Sequence, residues 1–158
     1  MVLTDGSRVV LWALIALAVC APLDRDLGAQ TSTSASASIR DGVFTVEQAR
    51  RGQAAYTGPC DRCHGYKLDG ASDDPDMLPA PPVAGPKFLR KWNGRTLAAL
   101  VEYLSATMPA NNPGYLSADE WADIVAYMLA TSGMPAGGAE LGSNREALAG
   151  IGIVSQSY

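Results

Sequence analysis

The sequence predicts an all-α fold. Two helix-opening signatures, Thr45 with Gln48 and Ser117 with Glu120, precede apolar stretches. A third segment repeats its apolar residues at helical spacing, and no run alternates with the period of a strand. At 158 residues the chain has the length of one domain plus processing segments. Its 12 basic residues are scattered among 16 acidic ones, which argues against nucleic acid as a partner.

The first segment, "MVLTDGSRVVLWALIALAVCAPLDRDLGAQ", carries Arg8 and then an apolar run from Val9 to Ala21. That run is short for a bilayer span and has the length of a secretory signal core, so residues 1–29 are expected to be a signal peptide cut after Ala29. An uncleaved anchor is the alternative. Cys20, in "LAVC", resembles the cysteine of a lipoprotein box, although Val19 is a poor match before it. Residues 30–40 include "QTSTSASAS", a Ser/Thr/Ala-rich stretch expected to be a flexible leader.

The folded domain is expected over residues 41–135. Its first helix runs from Val46 to Tyr56 behind the Thr45 cap and stops at Gly58 and Pro59. From Gly65 to Lys91 prolines, glycines and the acidic residues Asp69, Asp73, Asp74 and Asp76 give no periodicity. The acidic group lacks the glycine and closing glutamate of a calcium loop, so a long solvated loop is expected. A second helix from Thr96 to Thr107 places Leu97, Leu100, Val101 and Leu104 on one face. "MPANNPGYL" is turn chemistry. The last helix opens at Ser117, carries acidic residues in its first turn and ends at Gly133 with Pro135 beyond. Residues 136–158 form a Gly/Ala-rich tail with weak signals, expected to run over the surface.

Two of the three cysteines and the sole histidine fall in "PCDRCHG", residues 59–65. A haem site, a zinc half-site, a redox dithiol and a chance cluster all fit scarce reactive residues packed this way. Zinc lacks further His or Cys ligands in a chain cut after Ala29, and a dithiol motif normally accompanies a βαβ pattern that is missing. Cysteines at i and i+3 can bond the two vinyl groups of one haem, with the next residue, His64, under the iron. Cys60, Cys63 and His64 therefore point to haem c, which is attached outside the cytoplasm, in agreement with export. A single histidine leaves no Ser/His/Asp or Cys/His catalytic set.

With these residues the chain resembles the class I c-type cytochromes over roughly residues 43–134. The family carries a small residue and an aromatic one turn apart on the N-terminal helix, here Gly52 and Tyr56, crossed by an aromatic of the C-terminal helix, here Tyr127. The resemblance implies three to four helices around one covalently bound haem. It also implies a methionine as sixth ligand in the loop that holds Met108; Met77 is the alternative, while Met128 reads as core. A proline carbonyl orienting His64 is implied too, from Pro81 or Pro82, and Trp92 and Arg95 match residues that donate to haem propionates. The expected cofactor-binding set is thus Cys60, Cys63, His64, Met108, Pro82, Trp92 and Arg95, with His64 and Met108 on the metal. For Lys87, Arg90 and Lys91 a solvated basic face is the reading.

The implied function is an exported, periplasmic one-electron carrier and not an enzyme, served by redox partner proteins. The segment "MPANNPGYLSADEWADIVAYML" is similar to small cytochromes associated with quinoprotein dehydrogenases, so a dehydrogenase donor and an oxidase or second cytochrome as acceptor are expected. A haem subunit fixed in a membrane complex, through Cys20 or a retained N-terminus, is one alternative. A haem sensor or enzyme with a displaceable sixth ligand is the other.

Overall fold

The computed structural model describes residues 36–155 except residue 73. The expected signal peptide, its cleavage site and Cys20 lie outside the described residues. In chain order the elements are β1 (Ala37–Ser38), α1 (Val46–Tyr56), α2 (Asp61–His64), α3 (Gly85–Trp92), α4 (Leu97–Thr107), α5 (Ala118–Thr131), α6 (Arg145–Ala149) and β2 (Ile151–Gly152). None of the described helices is long and apolar enough to cross a membrane.

The helix starts follow from side chains that take up otherwise unpaired backbone N–H groups. Thr45 accepts from Gln48 N at 3.1 Å and Thr96 from Ala99 N at 3.3 Å. Ser117 and Glu120 form the complete reciprocal box, with Glu120 Oε2 accepting from Ser117 N at 2.8 Å. At α1 the expected box is only half made. Gln48 turns inward instead, where its amide accepts from Leu141 N at 2.7 Å and donates to Leu141 O at 2.9 Å.

α1 crosses α5 at Gly52. A Cβ added there would stand 1.8 Å from the carbonyl oxygen of Asp123, so only glycine allows this approach. One turn on, Tyr56 meets Tyr127 edge-on with ring centroids 5.6 Å apart. Leu100 of α4 and Val125 and Leu129 of α5 are fully buried beside this crossing. Outside it, the Arg51 guanidinium makes two bonds to Asp123 and two to Glu140, tying α1 to α5 and to the chain beyond.

Three features depart from the sequence-based expectation. The long loop contains α3, whose Phe88, Leu89 and Trp92 are buried while Lys87, Arg90 and Lys91 face out. The residues after 135 enter the core, with Leu141, Leu148 and Ile153 at most 4% exposed. The leader also contributes: Ile39 is fully buried, and β1 pairs in parallel with β2, Ala37 opposite Ile151 and Ser38 opposite Gly152. The first and last described segments thus close the core together. Ile153 is held further by Gly94 N and Arg95 O, at 2.9 and 2.7 Å.

Candidate functional site

Pro59 and Gly58 end the approach from α1, and the chain turns at once into α2. Cys60 O accepts from Cys63 N at 3.2 Å and from His64 N at 2.9 Å. This single turn puts residues i, i+3 and i+4 on one face, so Cys60, Cys63 and His64 line the same cavity. Neither cysteine is in a disulfide. Burial, with Asp61 and Cys63 adding, pushes the Cys60 thiol up to about 11, the reverse of the depressed value a reactive dithiol requires.

The cavity is about 700 Å³, within the range of ligand-holding sites, and its walls are mostly apolar. α1 supplies Tyr56, α4 supplies Leu104, and α5 supplies Trp121, Ile124 and Met128. Met108 caps the C-terminus of α4 and lines the cavity, followed by a cis Met108–Pro109 bond. Met77 lines the same space from the loop after α2.

His64 Nδ1 lies 2.8 Å from Pro81 O. A carbonyl can only accept, so Nδ1 carries the proton and Nε2 keeps the lone pair for a metal. The acceptor is Pro81 and not Pro82: one N–H meets one carbonyl, and the bonds of Ala80 N to Gly70 O and Val83 N to Leu68 O on either side bring that of Pro81 to the ring. The loop that returns Pro81 to the histidine is itself pinned. Gly70 N donates to His64 O and Val83 N to Leu68 O, both at 2.9 Å. Leu68, fully buried, holds a left-handed φ of 58° that a bulky side chain adopts only under constraint. Tyr56 Oη donates to Gly65 O at 2.9 Å, joining α1 to the residue after His64. Burial raises the Tyr56 phenol well above its ordinary range.

Trp92 and Arg95 do not line the cavity. α3 turns Trp92 into the core edge-on to Tyr103, with centroids 5.5 Å apart, and the Arg95 guanidinium sits 5.3 Å from the Trp92 ring centre. Arg62, Asn111 and Asn112 add polar side chains to its lining that the sequence alone does not single out. Arg62 had a signal available, since it stands between the two cysteines. Of the acidic residues expected to be solvated, Asp69 and Asp76 are exposed, while Asp74 pairs with Arg62 at 3.6 Å and accepts from Asp76 N at 3.0 Å.

The residues present fit a covalently held haem: two thiols and an oriented imidazole on one face of a large apolar cavity. A family model described as "Cytochrome C oxidase, cbb3-type, subunit III" matches residues 47–128, from α1 to near the end of α5. No curated protein matches the chain. Among solved structures, the sulfane dehydrogenase SoxCD from Paracoccus pantotrophus is similar, with 22% identity and a TM-score of 0.37 over 63% of this chain and 52% of that one. The chain spans about half the length of that relative. With the matched region enclosing both cysteines, the histidine and the helices that wall the cavity, the chain belongs to the family of cbb3-type cytochrome c oxidase subunit III, and is a class I c-type cytochrome with one covalently bound haem c.

Proposed function

We propose that this electron-transfer haem protein is an exported carrier, periplasmic in a bacterium, that passes single electrons between a dehydrogenase donor and an oxidase or cytochrome acceptor. Haem c supplies an iron that accepts and returns one electron. Cys60 and Cys63 would hold the group covalently, and His64 Nε2 and the Met108 thioether would be the protein ligands to its iron. The carrying observation is the His64 Nδ1–Pro81 O bond, which leaves Nε2 free on the face shared with both cysteines. Met108 is favoured over Met77 because it closes α4, a helix whose Leu97, Leu100 and Leu104 are buried in the core, whereas Met77 lies in the irregular loop after α2. A thioether held in place by the fold would ligate both oxidation states alike and so lower the reorganisation needed for transfer. The apolar rim, with Leu78 85% and Tyr115 48% exposed, suits brief docking of redox partners.

The test is the spectrum of the oxidised holo-protein before and after Met108→Ala. Loss of the far-red sulfur-to-iron band and a fall in potential support the assignment. An unchanged spectrum overturns it, and loss of the band in Met77→Ala instead transfers the role to Met77.

The family description favours a second reading, a haem subunit held in a membrane oxidase. N-terminal analysis of the mature protein separates the two: a cleaved, unlipidated start supports the free carrier, and a retained or lipidated Cys20 supports the fixed subunit.

A further inference from the structure

We propose that α3 and the turn after it form an anchoring face for an acidic protein partner, distinct from the cavity that takes the haem. Lys87, Arg90, Lys91 and Arg95 are all exposed, and none lines that cavity. No Asp or Glu occurs between Asp76 and Glu102, and none of the four makes an ion pair among the described residues. Elsewhere the described cations are mostly neutralised: Arg50 by Glu47, Arg51 by Asp123 and Glu140, Arg62 by Asp74, Arg145 by Glu102. Arg40 and Lys67 are the other unpaired cations among the described residues, so in a chain of formal charge −4 four of these six lie on α3 or in the turn after it.

Aromatic rings, not carboxylates, hold two of these cations in place. Lys91 Nζ lies 5.9 Å from the centre of the Tyr103 ring, and Arg95 sits over Trp92. A ring restrains a cation without cancelling its charge, so the ordering cost of meeting a carboxylate is partly met beforehand. Beside them a concavity of about 250 Å³ is lined by Arg40 and Arg90, with Leu89 and Met134 as apolar wall and no acidic residue. Two guanidiniums over an apolar wall suit a Glu or Asp side chain and its stem. Tyr103, 44% exposed, is the one large apolar residue of the face, too little to anchor in a bilayer. An acidic protein surface is therefore favoured over anionic lipid. A partner held here leaves the haem cavity open, so attachment and electron exchange can proceed on separate faces.

The test uses the 15N-labelled holo-protein at low ionic strength with two probes, poly-L-glutamate and vesicles of phosphatidylglycerol and phosphatidylcholine. Expected are amide shifts at residues 87–95 and at Arg40 on adding the polypeptide, none at Met108 or Asn112, and weak vesicle binding. Lys87→Glu with Arg90→Glu should weaken polypeptide binding roughly tenfold or more, while Arg50→Gln leaves it unchanged. If the double variant fails to keep its haem spectrum, Lys87→Gln with Lys91→Gln replaces it. Shifts centred on the cavity, binding insensitive to these variants, or vesicle binding without polypeptide binding would overturn the proposal.

Discussion

Gly52 and Asp123 fix the distance between α1 and α5: the space where a Cβ of residue 52 would sit is already filled by the Asp123 carbonyl. The neighbour is backbone and cannot rotate away. Gly52→Ala is therefore expected to separate the helices and cost about 3 kcal/mol. Thermal unfolding of the holo-protein checks this, and a loss below about 1 kcal/mol would contradict it. Because Tyr56 follows one turn later, the variant should also disturb the haem spectrum.

Gln48→Ala should release the tail. The substitution leaves the buried N–H and C=O of Leu141 without partners, each costing about 1–3 kcal/mol. Hydrogen exchange at the Leu141 amide is expected to accelerate before global unfolding. Exchange unchanged from wild type would mean that Leu148 and Ile153 hold the tail by themselves.

Glu120 gives the fold an acid-side dependence. Hydrogen bonds from the Ser117 backbone and hydroxyl lower its pKa in the folded state. A lowered folded value means the stabilisation is fully present above the unfolded pKa of about 4.3 and is lost as pH falls through the folded one. Ser117→Ala should cost about 1 kcal/mol at neutral pH and make this part of the acid limb shallower but not flat, since the backbone N–H of residue 117 still bonds Glu120. Urea unfolding at stepped pH is the measurement, and an acid limb as steep as wild type would refute it.

Tyr56 acts at the other extreme. Burial raises its pKa, so the folded state favours the neutral phenol. Stability is then full below the unfolded value of about 10 and falls as pH rises above it toward the folded value. Tyr56→Phe should cost about 1 kcal/mol at neutral pH by leaving the Gly65 carbonyl unpaired, and should shallow the alkaline limb. Part of that limb remains, because burial shifts Tyr127 the same way.

What could be read from the chain was local or tightly spaced. α1, α4 and α5 announced themselves by caps and a 3.6-residue period, and Gly52, Tyr56 and Tyr127 carried the crossing. α3 was hidden because Gly85 and Pro86 look like loop while its buried face is only Phe88, Leu89 and Trp92. The core role of residues 136–155 depends on contacts such as Gln48–Leu141, whose partners lie far apart in sequence. Trp92 and Arg95 were misplaced for a related reason: nearness to the proline loop does not say which way a helix will face. Pro81 and Pro82 are adjacent and chemically alike, and only the backbone direction separates them.

The pairing of Ala37–Ser38 with Ile151–Gly152 makes the described chain almost a ring. A short linker could join its two ends, and new ends could open at Gly138, which is exposed and has no atom within 4 Å of an added Cβ. Such a circular permutant would place α6 and β2 ahead of α1 in the chain while keeping every contact that walls the cavity. Its ability to take up haem would show that the architecture depends on which segments touch, and that the order in which the ribosome delivers them is incidental.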